Sequence, residues 1–359
     1  MGTTRYVYNK ALSAVKEGEK LNFYSLRDKF VTSKGNTDMK EWELETPKDI
    51  RAGAIRDMAK GFKVALENLK RGNITNFNLR YRKKREDKSL EIPARSIKLQ
   101  GRSFYLFSTY LNTPIKVAKD KYWDDIRVDY DCRLQFQNNN WYINIPVNTI
   151  NKIKNPPHEF CSLDPGVRKF QTVYSEQGIF NFKMNKDIAR KLYFKMDKLR
   201  SLRDRKIIKS SSYNKRRKKL RFKIDCLVAD FHHKTASFLT DNFRNIFLPK
   251  FESQKLSQKI RSSKTNRDLL SLKHYQFRQR LLFKCKTNEN CYTVICTEEY
   301  TSKTCTSCGS LNDVGDSEIY KCGKCKLDID RDVNGARNIL IKNVNELFSL
   351  QKKAYNNLS

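Results

Sequence analysis

Apolar residues recur at helical spacing over residues 46–70, where Ile50, Ala54, Met58, Phe62, Ala65 and Leu69 share one face. Thr46 reads as the N-cap, Pro47 suits the first turn, and Asp49 favours the positive end of the helix dipole. Between 89 and 147 the pattern changes. Ile92, Ile97, Phe104, Leu106 and the run Trp141-Tyr142-Ile143-Asn144-Ile145 predict short strands with polar turns, a small barrel or sheet. Asn155-Pro156-Pro157 marks a linker. Residues 160–182 then read as three strands. The first ends at Asp164 before a Pro-Gly turn, and Ser175-Glu176-Gln177-Gly178 joins the second to the third. Residues 185–243 return to helical spacing, with a break at Ser210–Asn214 that predicts two helices. A buried strand at 244–249, a helix at 266–286 and a strand at 292–297 complete the regular elements.

Charge narrows the classes of function. The 359 residues carry 73 Lys and Arg against 39 Asp and Glu, a formal net charge of +34. Such a surface repels itself unless a polyanion neutralises it, and nucleic acid does so with release of counterions. An anionic membrane is the rival, but no apolar run of spanning length and no signal peptide is present. Two stretches concentrate the charge. Arg80, Arg82, Lys83, Lys84 and Arg85 surround Tyr81, a basic run with an aromatic in it. From Lys198 to Lys223 there are thirteen basic residues and one acid, Asp204, so that Lys215, Arg216, Arg217, Lys218, Lys219 and Arg221 lie on a helical hairpin expected to touch nucleic acid. That run would also serve as a nuclear import signal.

The cysteines divide into two sets. Cys132, Cys161, Cys226, Cys285, Cys291 and Cys296 are scattered and read as buried thiols of a reducing, intracellular protein. Cys305-x-x-Cys308 and Cys322-x-x-Cys325 form two knuckles that predict a tetrahedral zinc site, with Gly309 and Gly323 placed for left-handed turns. Four thiolates leave no open position, so this zinc is structural, and a redox pair or an iron-sulfur cluster are its rivals. Catalysis would need carboxylates elsewhere. Asp164 ends the first core strand, and Asp332 stands at the start of a helix in Asp330-Arg331-Asp332-Val333-Asn334-Gly335-Ala336-Arg337-Asn338-Ile339. A three-strand meander with an Asp at the end of its first strand is how RNase H-like folds open. In two-metal phosphoryl transfer such acids hold Mg²⁺ ions around a scissile phosphate.

Three runs, Leu163 to Arg168, Tyr300 to Gly309 and Asp330 to Ile339, in this order, closely resemble the transposon-encoded TnpB nucleases and their Fanzor relatives. The likeness extends to Arg5-Tyr6-Val7-Tyr8-Asn9-Lys10-Ala11-Leu12, to residues 47–68 and to His233-Lys234. It implies an α/β RNase H-like (RuvC) nuclease domain with an inserted four-cysteine zinc ribbon, preceded by an N-terminal wedge-like β-barrel with a helical recognition domain. On this chain the expected boundaries are 1–88 for the helical recognition region, 89–157 for the barrel, 158–300 for the nuclease domain with its basic hairpin, 301–328 for the ribbon, and 329–359 for the last nuclease segment and tail. The resemblance makes Asp164 the first catalytic acid and Asp332 the last.

The middle acid departs from the TnpB pattern, which has a Glu at the end of the strand matching Ile246-Phe247-Leu248. Here Pro249 follows, and Glu252 lies beyond the strand end. Thr297-Glu298-Glu299-Tyr300 instead resembles the rearranged Fanzor site, which implies Glu298 as the middle ligand and Glu299 as second choice, pointing to the opposite strand face. A dead enzyme in which neither ligates metal is the alternative. Relatives usually carry a strand and helix before the Arg5–Asn9 element, so a trimmed start or a missing part of the barrel is also implied. The family further implies Mg²⁺, structural Zn²⁺, an element-derived guide RNA and a target double-stranded DNA cut beside a short motif, by a monomer, in the nucleus if the source is eukaryotic or viral and otherwise in the cytoplasm. Three other classes stay open: a guide-independent transposase or resolvase, an inactive guide-dependent DNA-binding protein, and a zinc-ribbon transcription factor.

Overall fold

The computed structural model describes all residues except 33–38, 85–87, 112, 117–125, 138–139, 149–150, 152, 316 and 357–359, and describes no side chains at 88, 259 and 345–356. The chain divides into two units, Met1–Asn148 and Thr149–Ser359.

The first unit begins with helices α1 (Gly2–Lys16), α2 (Phe23–Phe30), α3 (Glu41–Leu44) and α4 (Lys48–Lys70). Val7, Ala11 and Leu12 of α1 and Leu26 and Phe30 of α2 bury against Ala54, Ile55 and Met58 of α4. Only the first half of α4 is fully buried, so its apolar stripe is core over fewer turns than the spacing predicts. Pro47, not Thr46, occupies the N-cap position, and the Thr46 hydroxyl donates to Thr3 Oγ1 at 2.8 Å instead. Strands β1 (Lys88–Ile92), β2 (Ile97–Gln100), β3 (Ser103–Leu106), β4 (Ile115–Lys116), β5 (Cys132–Gln137) and β6 (Asn140–Asn144) follow. Among the described residues they form two antiparallel sheets, β1-β5-β6 and β2-β3-β4, joined by a core of Ile92, Ile97, Phe104, Leu106 and Cys132.

The second unit is built on β7 (His158–Pro165), β8 (Gln171–Ser175) and β9 (Gly178–Phe182), an antiparallel meander, followed by helices α5 (Lys186–Asp204) and α6 (Ser210–Asn242) and strand β10 (Phe243–Pro249). Helices α7 (Ser253–Lys259), α8 (Ser263–Ser271) and α9 (His274–Lys286) lead to β11 (Tyr292–Cys296). The five strands make one sheet in the order β11-β10-β7-β8-β9, with β10 parallel to β7 and β11 parallel to β10. Its core residues Cys161, Leu163, Phe170, Val173, Ile246 and Leu248 have no charge among them, as expected of central strands covered on their faces. The short hairpin β12 (Ile319–Lys321) and β13 (Asp328–Asp330) runs into the last helix, α10 (Arg331–Asn356).

Two predicted helices break at other points. The hairpin of α5 and α6 turns at 205–209, where Lys206 adopts φ +58°, and Ser210–Asn214 begins α6 rather than forming the break. The helix expected at 266–286 is two helices separated at Lys273, also left-handed at φ +48°. Neither position carries Gly or Pro, so the turn chemistry that announces a break is missing. Cys226 is exposed, against expectation, while the other five scattered cysteines are buried.

Candidate active site and metal centre

Asp164 is the penultimate residue of β7, where the sheet's central strand ends. The chain then reverses sharply. A Cβ on Gly166 would lie 2.8 Å from the Lys169 carbonyl oxygen, so only glycine fits this turn. Helix α10 crosses close above. The Ser162 hydroxyl donates to the Ala336 carbonyl at 2.6 Å, and a Cβ on Gly335 would lie 2.7 Å from Asp164 Oδ2. The first turn of α10 carries Asp332, while Asp330 Oδ1 caps the helix by accepting from the Asp332 and Val333 amides at 3.0 and 3.2 Å.

The three acids expected from the sequence are electrostatic neighbours. Burial pushes the Asp164 carboxyl well above the usual carboxylate range, and the charges of Asp332 and Glu298 push it further, with Arg331 and Lys169 opposing. The Glu298 carboxyl is also raised, by the surrounding protein and by Glu252. Glu252 therefore stays near the site although Pro249 ends β10. The expected reason for ranking Glu299 second does not hold, because β11 stops at Cys296 and both glutamates lie beyond it. What separates them is position: the Glu298 charge acts on Asp164, whereas Glu299 lines an open concavity with Tyr300, Ser302 and Lys303.

Several residues that build this site were not singled out from the sequence. Lys169 donates to Asp330 at 2.6 Å and pairs with Asp332 at 3.2 Å, with 15% of its side chain exposed. Asn334 donates to the Thr304 carbonyl and accepts from the Thr306 amide, and Asn338 donates to the carbonyls of Thr301 and Thr304, all at 2.7–3.0 Å. These amides fasten the segment after Glu298 to the helix that carries Asp332. Their signal was present, since Asn334, Gly335 and Asn338 all belong to the Asp330–Ile339 run.

The four cysteines converge. Their Sγ atoms lie within 4.8 Å of one another, with Cys305–Cys325 at 3.5 Å and Cys308–Cys322 at 3.6 Å. Tetrahedral zinc with bonds of about 2.3 Å requires sulfur separations of about 3.8 Å, so the set fits that ion. The Cys325 amide, donating to Cys322 Sγ at 3.4 Å, holds that thiol down to about 5, and the Ser310 hydroxyl lowers Cys308. Low pKa values favour the thiolates that a metal needs, while Cys325, against its hydrogen bond with the Leu327 backbone, is pushed up to about 11 by desolvation and the neighbouring thiols. Gly309 takes the expected left-handed turn at φ +73°, whereas in the second knuckle that role falls to Lys326 at φ +60° rather than to Gly323. Among the described residues this is the one group already closed enough to hold an ion.

The basic residues are dispersed. Lys215, Arg216, Arg217, Lys219 and Arg221 are exposed on α6, and Lys218 is half-buried there; Arg221 pairs with Asp225 at 3.3 Å. Arg80, Lys83 and Lys84 are exposed, and Arg85 lies outside the described residues. Arg82 is engaged internally: its amide donates to Asn9, its guanidinium pairs with Asp57 at 3.2 Å and stacks over Tyr8 at 4.1 Å. No described helix is long and apolar enough to cross a membrane.

Residues 274–339, from α9 through the four cysteines to α10, match the Cas12f1-like TNB domain. The fold and site thus define a chain with a Cas12f1-like TNB domain set against a sheet whose central strand ends in acid. The chain is 29% identical over 94% of its length to the putative transposase A625R of Paramecium bursaria Chlorella virus 1, of which it covers 81%. It is 34% identical over 54% of its length to the TnpB-like protein L79 of Acanthamoeba polyphaga mimivirus, of which it spans 38%, well under half. It is 24% identical over 94% of its length to the putative RNA-guided DNA endonuclease InsQ of Escherichia coli, covering 86% of that protein. These matches support a TnpB/Fanzor-type family for the chain. A solved CRISPR-Cas12f ternary complex aligns over 94% of this chain and 79% of its own, at 16% identity and a TM-score of 0.40, too loose to fix the fold.

Proposed function

We propose that the protein is an RNA-guided DNA endonuclease whose RNase H-like (RuvC) domain cuts DNA with Asp164, Glu298 and Asp332. The observation that carries this reading is the approach of Asp332 and Glu298 to Asp164 at the end of β7, where burial first and then their two charges raise the Asp164 pKa. Acids held together against their own repulsion are arranged for a cation. The strand order, a meander extended by two parallel strands, supports the RNase H-like assignment. Carboxylate oxygens are the donors Mg²⁺ takes, and the ion when bound would supply the positive charge that activates water and stabilises the leaving oxygen. Asp164, from the strand, and Asp332, from the helix, would orient the scissile phosphate between them. Glu298 would complete the site from the turn clamped by Asn334 and Asn338. Zinc held by Cys305, Cys308, Cys322 and Cys325 would be structural, fixing the hairpin that launches α10.

The relative InsQ is named as a putative RNA-guided DNA endonuclease, and by analogy this chain would use a guide RNA, which the TnpB/Fanzor resemblance would derive from its own element. The first unit would read a short motif beside the target, and the exposed cations of α6 would hold RNA or heteroduplex phosphates. Expression with the native flanking DNA, followed by sequencing of co-purifying RNA, tests this. A single discrete RNA starting in that flank and ending in variable sequence is expected, together with Mg²⁺-dependent cleavage that requires it. Heterogeneous cellular RNA, with cleavage unaffected by RNase, would overturn the guided reading.

A further inference from the structure

The acid site already contains a cation. The Lys169 ammonium stands 2.6 Å from Asp330 Oδ2 and 3.2 Å from Asp332 Oδ2. It reaches them from the loop after Asp164, across the Gly166 turn, with its side chain mostly covered. This is not an ordinary surface pair. Both carboxylates flank the start of α10, one as its cap and one as an expected metal ligand, and the lysine is also close enough for its charge to act on Asp164. The other cation acting on Asp164, Arg331, is tied to the Gly315 carbonyl at 2.6 Å. Lys169 is thus the positive group in direct contact with an acid of the site.

We infer that Lys169 is a positioning residue and the site's resident counter-ion. It holds Asp330 and Asp332 in place before a divalent cation arrives, and it competes with that cation for Asp332. The inference rests on the reading of Asp164, Glu298 and Asp332 as a divalent-cation site. Two consequences follow. The lysine keeps a cluster of like charges from splaying the start of α10 when no metal is bound. It also weakens metal binding, since a divalent ion must take Asp332 against an ammonium already there.

The test is thermal unfolding of the zinc-loaded full chain, desalted free of other divalent cations and titrated with Mg²⁺. Lys169→Met is expected to melt earlier than wild type without Mg²⁺. Mg²⁺ should then stabilise the variant more than wild type, because binding to the native state raises stability by mass action. Its half-point should fall at a roughly tenfold lower concentration, the effect of removing one nearby charge at an effective dielectric well above the protein interior's. Lys169→Arg, which keeps the charge, should track wild type. A lysine that merely staples the fold would lower the melting temperature equally at every Mg²⁺ concentration with an unchanged half-point, and that result overturns the inference. So does an absence of Mg²⁺ stabilisation in both proteins. Cleavage of single-stranded DNA by the same wild-type sample separates the two ideas. A Lys169-dependent half-point without cleavage keeps the counter-ion and removes the nuclease.

Discussion

Gly335→Ala is the substitution on which the proposed site is most exposed to refutation. Gly335 lies in the first turns of α10 and its φ is ordinary, so helix propensity alone favours alanine by about 1 kcal/mol. The structure opposes it. The new Cβ would stand 2.7 Å from Asp164 Oδ2, where ordinary contact begins at 3.4 Å, so helix or carboxylate must move by about 0.7 Å. Overpacking of this kind costs about 1–3 kcal/mol, which offsets the propensity gain and leaves a net loss of about 0–2 kcal/mol. Gly53→Ala in α4 is the control, because nothing lies within 4 Å of its Cβ, and it should stabilise by about 0.5–1 kcal/mol. Catalysis should be the more sensitive readout. Catalytic groups are held to about 0.5 Å, and a displacement near 1 Å costs about a hundredfold. Gly335→Ala should therefore cut DNA about thirty- to a hundredfold more slowly in single-turnover assays, with urea midpoints reporting stability alongside. Cleavage within twofold of wild type, or a stability gain equal to that of Gly53→Ala, would refute the close approach of α10 to Asp164 as the architecture of the site.

Asp164→Asn removes a charge that burial and two neighbouring acids disfavour, so in divalent-free buffer at pH 7.5 its melting temperature should rise while cleavage disappears; a fall in melting temperature would contradict the crowding of the acids. Cys322→Ser should lose stoichiometric zinc and, because β13 runs directly into α10, should also depress cleavage, as metal analysis and activity on one sample would report. Acid should destabilise the second unit through two buried histidines. His232 Nε2 donates to the Leu272 carbonyl at 2.9 Å and its Nδ1 accepts from Arg280 at 2.9 Å, and burial first of all pulls it down to about 3. His274, stacked 4.8 Å from Phe170, is pulled down to about 4 by burial. Both folded values lie below the unfolded value of about 6.5, so the stability is complete above pH 6.5 and is lost as pH falls from there towards 4 and below. Each ring should contribute a slope of about 1.4 kcal/mol per pH unit in that window. His274→Phe, which keeps the stacking, should remove one ring's share, and an unchanged slope in urea titrations between pH 7.5 and 5 would rule that account out.

The parts legible in the sequence were those whose cause is local. The two Cys-x-x-Cys knuckles converge because two intervening residues make a tight turn, and the β7-β8-β9 meander follows from short apolar runs ended by Pro-Gly and Gly. The helix ends at Lys206 and Lys273 were misplaced because both left-handed positions are lysines, held by tertiary context against their propensity. The neighbourhood of the acids was half legible. Asp164 and Asp332 announce themselves by their runs, but a spacing of 168 positions in sequence says nothing of which groups fill the space between them. Lys169 looks like an ordinary polar residue until the crossing of α10 over β7 brings Asp330 and Asp332 to it. Glu298 illustrates the same limit from the other side. Strand alternation was the argument for preferring it to Glu299, yet the strand ends before either. The proposal of Glu298 rests instead on its charge acting on Asp164; β11 lies beside β10 in parallel register, Pro249 opposite Cys296, so a chain leaving β11 emerges where a residue at the end of β10 would have stood. A carboxylate moved from one strand end to the next reaches the same acids, because in a parallel sheet adjacent strand ends open onto one edge.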